Sequence, residues 1–447
     1  MRRLSEGLEW GLNAAVGAKK RALRAKIESF ITRGVLTAGD LLPSGRRLAG
    51  LTGLSKATIE MVYGDLLAEG LLTSRAGRGF FVSERAHSLL RRERDRSEAA
   101  TAAVVSVPSL PDKAFEAEKA LTWFRQHVNK PLSCRAPVMD LFPEKEWKSI
   151  NARIARSPWQ HTNYSTAAGF RPLRAVIADK ILRPRGILCS EENIAITNGT
   201  INAMHLLSEI LLQDGQTVAL ESPINGLIST NVRQQNLKIR WLPIDREGVL
   251  LTKADRFNCI VVTPANHVPT GIRMSTDRRR KVFSRAAEMG SWIVENDLDA
   301  EFSLFDETLP AIRSFEGAQN NTIFLSTFSN TIFPGLRLGF AVLPECLVGP
   351  FAGMRLLSDR FSSELKQAAL AEFIQTGGYE KHVRKVGVLY QARRQFLVER
   401  LESRLADFGC LYSNALGTHV SFRLNDAFPD KEVVRELAQR GVVARAC

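Results

Sequence analysis

The chain has 447 residues, 45% apolar and 24% charged, which is ordinary for a globular protein and long enough for two or three domains. No window approaches the roughly eighteen apolar residues of a membrane span, and the start lacks the apolar core of an export signal, so a cytoplasmic protein is expected. Six cysteines, at 134, 189, 259, 346, 410 and 447, form no Cys-x-x-Cys pair and suggest reduced thiols, with neither a zinc site nor a disulfide framework.

Net charge is +14, and residues 1–100 hold 18 Lys/Arg against 11 Asp/Glu, half of the excess in under a quarter of the length. A basic segment ahead of a milder body points to a polyanion partner, nucleic acid first. From Lys20 to Gly34, Leu23, Ile27, Phe30 and Ile31 recur at helical spacing and predict an amphipathic helix. In Leu42-Pro-Ser-Gly-Arg-Arg-Leu-Ala49, Ser44 is placed to cap a short helix running to about Leu51, before the turn Thr52-Gly53-Leu54. A third helix opens at Ser55 and turns Ile59, Val62, Tyr63, Leu66 and Leu67 inward until Gly70. Leu71 to Val82 predicts two strands around a glycine-rich tip, which completes a winged helix-turn-helix over residues 15–84.

Arg46, Lys56, Arg75 and Arg78 can reach phosphates, with Ser44 as the cap beside Arg46. Ser55, Lys56, Ala57 and Thr58 open the helix that enters a major groove. The segment from about 20 to 83 resembles the DNA-binding domain of the GntR family. That family shares, in this order, Pro-Ser-x-Arg-x-Leu-Ala, a serine-led recognition helix, Glu-Gly-Leu-Leu and a Gly-x-Gly-x-Phe-Val wing.

Residues 85–130 read as a linker: a mixed charge run, Arg91-Arg-Glu-Arg-Asp-Arg96, is followed by small residues and prolines without periodicity. Residues 112–130, with Phe115, Leu121, Trp123 and Phe124, fit a helix, a loop or a dimer contact equally well.

Residues 131–447 read as one further domain, in which strand-like runs alternate with helical patterns from about 138 to 340: Asn193–Thr197, a helix from Ile201, Thr217–Leu220, Lys238–Leu242, Cys259–Thr263, a helix around 276–290, and Trp292–Val294. Alternation of this kind predicts an α/β fold with an open, mostly parallel sheet and sites at the strand C-termini. The landmarks Asp140-Leu-Phe-Pro143, Arg185-Gly186, Thr197-Asn-Gly199, Glu221-Ser-Pro223, Pro269-Thr-Gly271 and Pro334-Gly-Leu-Arg-Leu-Gly339 resemble the fold-type I aminotransferase-like domain of MocR-type regulators. The C-terminal small domain looks truncated against that family, and the family's substrate-carboxylate arginine falls in the missing stretch; Arg423 and Arg445 are weak substitutes.

Four positions that handle the ring of pyridoxal phosphate in the family differ here. Asn330 stands where the resemblance places the Schiff-base lysine, Asn296 where it places the aspartate on the ring nitrogen, Leu298 for the ring-oxygen tyrosine and Asn225 for the stacking aromatic. The phosphate-facing positions Gly199, Thr200, Thr327, Ser329 and Arg337 match, either as a surviving anion subsite or because glycine serves a turn and arginine a buried ion pair.

The resemblance therefore implies a DNA-binding transcription regulator that acts as a homodimer on a double-stranded operator. Its large domain would dimerise, and would sense pyridoxal phosphate noncovalently, another anionic effector, or nothing. A pyridoxal-phosphate-dependent aminotransferase with an appended DNA-binding domain is the alternative from another class. No metal site and no membrane contact are expected.

Overall fold

The computed structural model describes residues 10, 19–90, 109–127, 132, 137–298, 300–303, 310–412, 418–444 and 446. The chain forms two compact units that divide between Ser109 and Leu110.

In the first unit, α1 (Lys19–Thr32) buries Leu23, Ile27, Phe30 and Ile31, the stripe its spacing predicts. Helix α2 (Gly45–Thr52) is capped by Ser44, whose hydroxyl accepts from Arg47 N at 3.4 Å, and ends at Gly53 with φ +67°. Helix α3 (Lys56–Ala68) is capped by Ser55 and buries Ile59, Val62, Tyr63 and Leu66. Leu67 is 37% exposed, contrary to expectation, because Leu66 faces the core and the next residue lies about 100° round the helix.

Strands β1 (Leu72–Arg75) and β2 (Gly79–Val82) pair antiparallel, Leu72 opposite Val82 and Arg75 opposite Gly79. Tyr63 donates its buried hydroxyl to Pro43 O at 2.9 Å, tying α3 to the start of α2, and burial raises its pKa. The core extends beyond both predicted limits: Trp10 packs edge-on to Phe30 at 5.3 Å, and Ala86 and Leu90 are buried in the same cluster. The charge run 91–96 lies outside the described residues.

The second unit begins with α4 (Asp112–His127), which settles residues 112–127 as a helix and leaves Phe115, Leu121 and Phe124 exposed. Its sheet is built from β3 (Ile194–Thr197), β4 (Thr217–Ser222), β5 (Lys238–Asp245), β6 (Gly248–Val249), β7 (Cys259–Val262), β8 (Trp292–Asn296), β9 (Thr322–Thr327) and β10 (Gly339–Val342). The order is β3-β10-β9-β8-β7-β4-β5-β6. The run β9-β8-β7-β4-β5 is parallel, whereas β10 is antiparallel to both β9 and β3.

Strands β3, β10, β9 and β7 are buried along their whole length and adjacent residues serve opposite cores, whereas β5 near the sheet edge exposes Lys238, Arg240 and Trp241. Ile196, Phe324 and Phe340 pack on one side with Leu173, Phe328 and Phe373, while Ala195, Leu325 and Ala341 pack on the other with Ala203, Leu206 and Phe351. Helices α5 (Thr200–Leu211), α6 (Gly226–Gln234), α7 (Thr276–Glu288), α8 (Glu345–Ser358), α9 (Glu364–Gln375) and the 28-residue α10 (Gly378–Leu405) surround or extend from the sheet. Strands β11 (Gly409–Leu411) and β12 (Phe422–Leu424) and helix α11 (Asp430–Gln439) follow.

Candidate DNA interface and anion pocket

The sequence of α3 determines what its first turn presents. Ser55 Oγ accepts from Thr58 N at 3.2 Å and lies 2.8 Å from Thr58 Oγ1, so the two hydroxyls fix the helix start. Ser55, Lys56 and Ala57 are exposed there, with Thr58 half-buried behind them. Lys56 Nζ lies 3.3 Å from Glu60 across one exposed turn, a weak pairing that a phosphate can replace. Ser44 and Arg46 are exposed at the start of α2, and Arg75 and Arg78 on the wing. The Arg75 guanidinium rests over the Phe81 ring at 4.9 Å.

The other candidate site lies at the C-terminal ends of the sheet strands. Asn296 ends β8, 2% exposed, and its Oδ1 has no hydrogen-bond partner among the described residues. Asn330 follows β9 and donates from Nδ2 to Leu298 O at 3.3 Å. Asn225 serves the local backbone instead, since its Oδ1 accepts from Leu227 N at 3.2 Å and caps α6. Of the two arginines weighed for a substrate carboxylate, Arg445 lies outside the described residues and Arg423 is exposed on β12.

Gly199 caps α5 with φ +102°, a conformation glycine adopts without strain, and a Cβ there would sit 3.1 Å from Arg337 Nη2. Thr200 is the first residue of that helix. Arg337 is exposed and donates from Nη2 to Asn198 O at 2.7 Å, so among the described residues the buried ion pair weighed from sequence does not form. Thr327 Oγ1 donates to Leu338 O at 3.3 Å and accepts from Ser329 N at 3.2 Å, while Ser329 Oγ has no partner among the described residues. A free hydroxyl, a guanidinium and the start of a twelve-residue helix thus meet at this end of the sheet.

Several charged residues to which the sequence alone assigns no role are buried nearby. Arg185 pairs with Asp297 and stacks over Phe324 at 5.1 Å. Burial by itself lowers the Arg185 pKa, but Asp297, Glu301 and Glu295 outweigh it and hold the guanidinium charged. Glu295 accepts from Ile312 N at 3.0 Å and Arg313 N at 2.9 Å, and burial raises its pKa.

Glu221, 1% exposed, accepts from Thr263 N at 2.9 Å and lies 3.5 Å from His267 Nε2. Burial pushes Glu221 up to about 8 and His267 down to about 4, so near neutrality both are uncharged. Partners such as Arg185 and Asp297 stand 112 residues apart, and no periodicity relates them. The only prior signal for Glu221 and Arg185 is their place in short landmark runs.

Among the described residues no group of His, Cys, Asp and Glu is arranged to hold a metal, and no helix is long and apolar enough to cross a membrane.

Residues 139–447 match the family model for aminotransferase class I and II, and residues 19–82 match that for bacterial regulatory proteins of the gntR family. The chain belongs to the MocR type of GntR regulators. It is 29% identical to the probable rhizopine catabolism regulatory protein MocR of Rhizobium meliloti, over 94% of this chain and 85% of that protein. The pyridoxine biosynthesis transcriptional regulator PdxR of Corynebacterium glutamicum is 26% identical over 85% of this chain and 78% of its own. Among solved structures, the kynurenine aminotransferase of Pyrococcus horikoshii superposes with a TM-score of 0.66 at 22% identity, covering 79% of this chain and 87% of that one. That likeness establishes the fold of this MocR-type chain and no chemistry.

Proposed function

We propose that the chain is a cytoplasmic, homodimeric transcription regulator. The first unit, residues 15–84 completed by Trp10, Ala86 and Leu90, would bind an operator, and the second, from Leu110 on, would dimerise and hold an anionic ligand noncovalently, without transaminase activity. The observation that carries the DNA reading is the doubly fixed start of α3, where Ser55 and Thr58 lock the turn that exposes Lys56 and Ala57. Exposed Arg46, Arg75 and Arg78 supply sequence-independent phosphate contacts around it. A dimer places two such helices on two half-sites.

Pyridoxal phosphate does not fit this pocket as a covalent cofactor. On the resemblance, Asn330 takes the lysine's place; its amide nitrogen is not nucleophilic and is already committed to Leu298 O. Every lysine among the described residues is at least partly exposed, so no buried amine replaces it. The Asn296 amide supplies no charge to a ring nitrogen, and Leu298 offers no hydroxyl. Gly199, Thr200, Ser329 and Arg337 do suit a phosphate or carboxylate, which supports noncovalent pyridoxal phosphate or another anionic metabolite as the effector.

Two measurements test this reading. Binding to a duplex from the protein's own upstream region should weaken steeply with salt, as released counterions require. Pyridoxal phosphate should raise the melting temperature without a product that borohydride fixes to the chain. Salt-insensitive binding, or a borohydride-fixed lysine in the pocket, would defeat it.

A further inference from the structure

Asn198, in the turn between β3 and α5, has every polar group engaged. Its N–H donates to Asn202 Oδ1 at 3.3 Å and its carbonyl accepts from Arg337 Nη2 at 2.7 Å. Its Oδ1 accepts from Ser362 Oγ at 2.6 Å, and its Nδ2 donates to Asp359 Oδ2 at 2.6 Å. The two side-chain partners are in turn held by one cation. Arg355, fully buried near the end of α8, donates from Nε to Asp359 Oδ1 at 2.9 Å, from Nη2 to Ser362 Oγ at 3.3 Å, and from Nη1 to the Ile196 carbonyl of β3.

The end of α8 makes this reach possible. Asp359 is the C-cap, and Arg360 follows with φ +60°, its N–H donating back to Arg355 O at 2.7 Å. The chain then folds so that Ser362, 5% exposed, returns to the same turn, fixed from behind by Gln367 Nε2 on its carbonyl at 2.8 Å.

We propose that Asp359, Arg355 and Ser362 are positioning residues for the anion subsite: they immobilise Asn198, whose carbonyl aims the Arg337 guanidinium across Gly199. This rests on the reading of Gly199, Thr200 and Arg337 as an anion subsite. Arg337 is exposed and would otherwise sample many rotamers, so one fixed acceptor at its Nη2 leaves the remaining guanidinium donors pre-aimed. Arg355 has a second effect: pairing with Asp359 offsets a carboxylate that would otherwise repel an anion bound nearby.

The sign of one substitution separates positioning from plain electrostatics. Asp359→Asn removes a negative charge, and charge alone predicts tighter anion binding. Positioning predicts the opposite, because an amide cannot accept from both Arg355 Nε and Asn198 Nδ2 and must turn a donor toward one of them.

The test titrates the full-length protein with pyridoxal 5′-phosphate, and separately with inorganic phosphate, by calorimetry at a temperature where each variant is fully folded by circular dichroism. Asp359→Asn is expected to weaken binding about tenfold, the scale of one charge-assisted hydrogen bond. Asn198→Asp, which sets two carboxylates face to face, should weaken it further. The swap Asn198→Asp with Asp359→Asn restores one donor and one acceptor at each contact and should bind more tightly than Asn198→Asp alone.

If Asp359→Asn fails to fold, Ser362→Ala carries the test, with a several-fold loss expected. Wild-type affinity retained or exceeded in Asp359→Asn or Ser362→Ala overturns the positioning role while leaving the subsite intact. A wild-type protein that binds neither probe overturns the subsite and the positioning role together.

Discussion

Replacing Glu221 by glutamine should change how stability depends on pH. In the unfolded chain a glutamate titrates near about 4.3, whereas in the fold burial holds Glu221 protonated up to about 8. Between those values the native state binds a proton that the unfolded chain has lost. Wild-type stability therefore falls as pH rises, by up to about 1.4 kcal/mol per pH unit. From about pH 5 to 8 this amounts to roughly 4 kcal/mol.

Glutamine is isosteric and can keep an oxygen at the Oε2 position, which accepts from Thr263 N and lies 3.5 Å from His267 Nε2, so it preserves the packing and removes the titration. The variant should match wild type near pH 5 and exceed it by on the order of 4 kcal/mol at pH 8. His267, lowered to about 4, acts in the opposite window: its contribution is lost as pH falls below about 6.5, equally in both proteins. Urea unfolding of the second unit's transition at several pH values measures the difference. Parallel stability–pH curves for the two proteins would show that Glu221 ionises normally in the fold and refute the reasoning.

Ser55→Ala should cost about 1 kcal/mol in the first unit and speed hydrogen exchange in the first turn of α3, since Thr58 N loses its acceptor; unchanged protection would mean the cap does not fix that turn. In DNA titrations, Arg46→Ala and Lys56→Ala should each lower the slope of log affinity against log salt by about one, and an unaltered slope would remove that residue from the phosphate contacts. Asn330→Lys by itself should yield no transaminase turnover with pyridoxal phosphate and an amino donor, because Asn296 and Leu298 still leave the ring without charge or anchor; robust activity of this single variant would overturn the pocket reading.

Short-range patterns make much of this architecture legible. Leu23, Ile27, Phe30 and Ile31 mark one face of α1, and Ser44 and Ser55 stand where helix starts need an acceptor. Leu67 misleads because an apolar residue beside a true core position reads the same in one dimension. The helix Asp112–His127 escapes assignment since Phe115, Leu121 and Phe124 are all exposed and mark no inward stripe. Around the pocket, Asn330 and Arg337 stand out through their motifs, but the groups that hold them do not. Asn198 meets Asp359 across 161 residues and Arg355 meets the Ile196 carbonyl across 159, and polar pairs that distant leave no trace in local sequence.

Trp10 carries a lesson for whoever cuts this protein into pieces. The gntR family match starts at residue 19, and a fragment trimmed to that boundary would look complete by homology. It would nevertheless lack an indole that is 2% exposed and rests edge-on against Phe30, leaving a hole beneath the first helix. Loss of a large buried aromatic costs about 3–5 kcal/mol, a large share of what a small domain has to spare. An isolated DNA-binding fragment should therefore begin ahead of Trp10 and run through Leu90, and one cut at the family boundary invites a false negative in any operator screen.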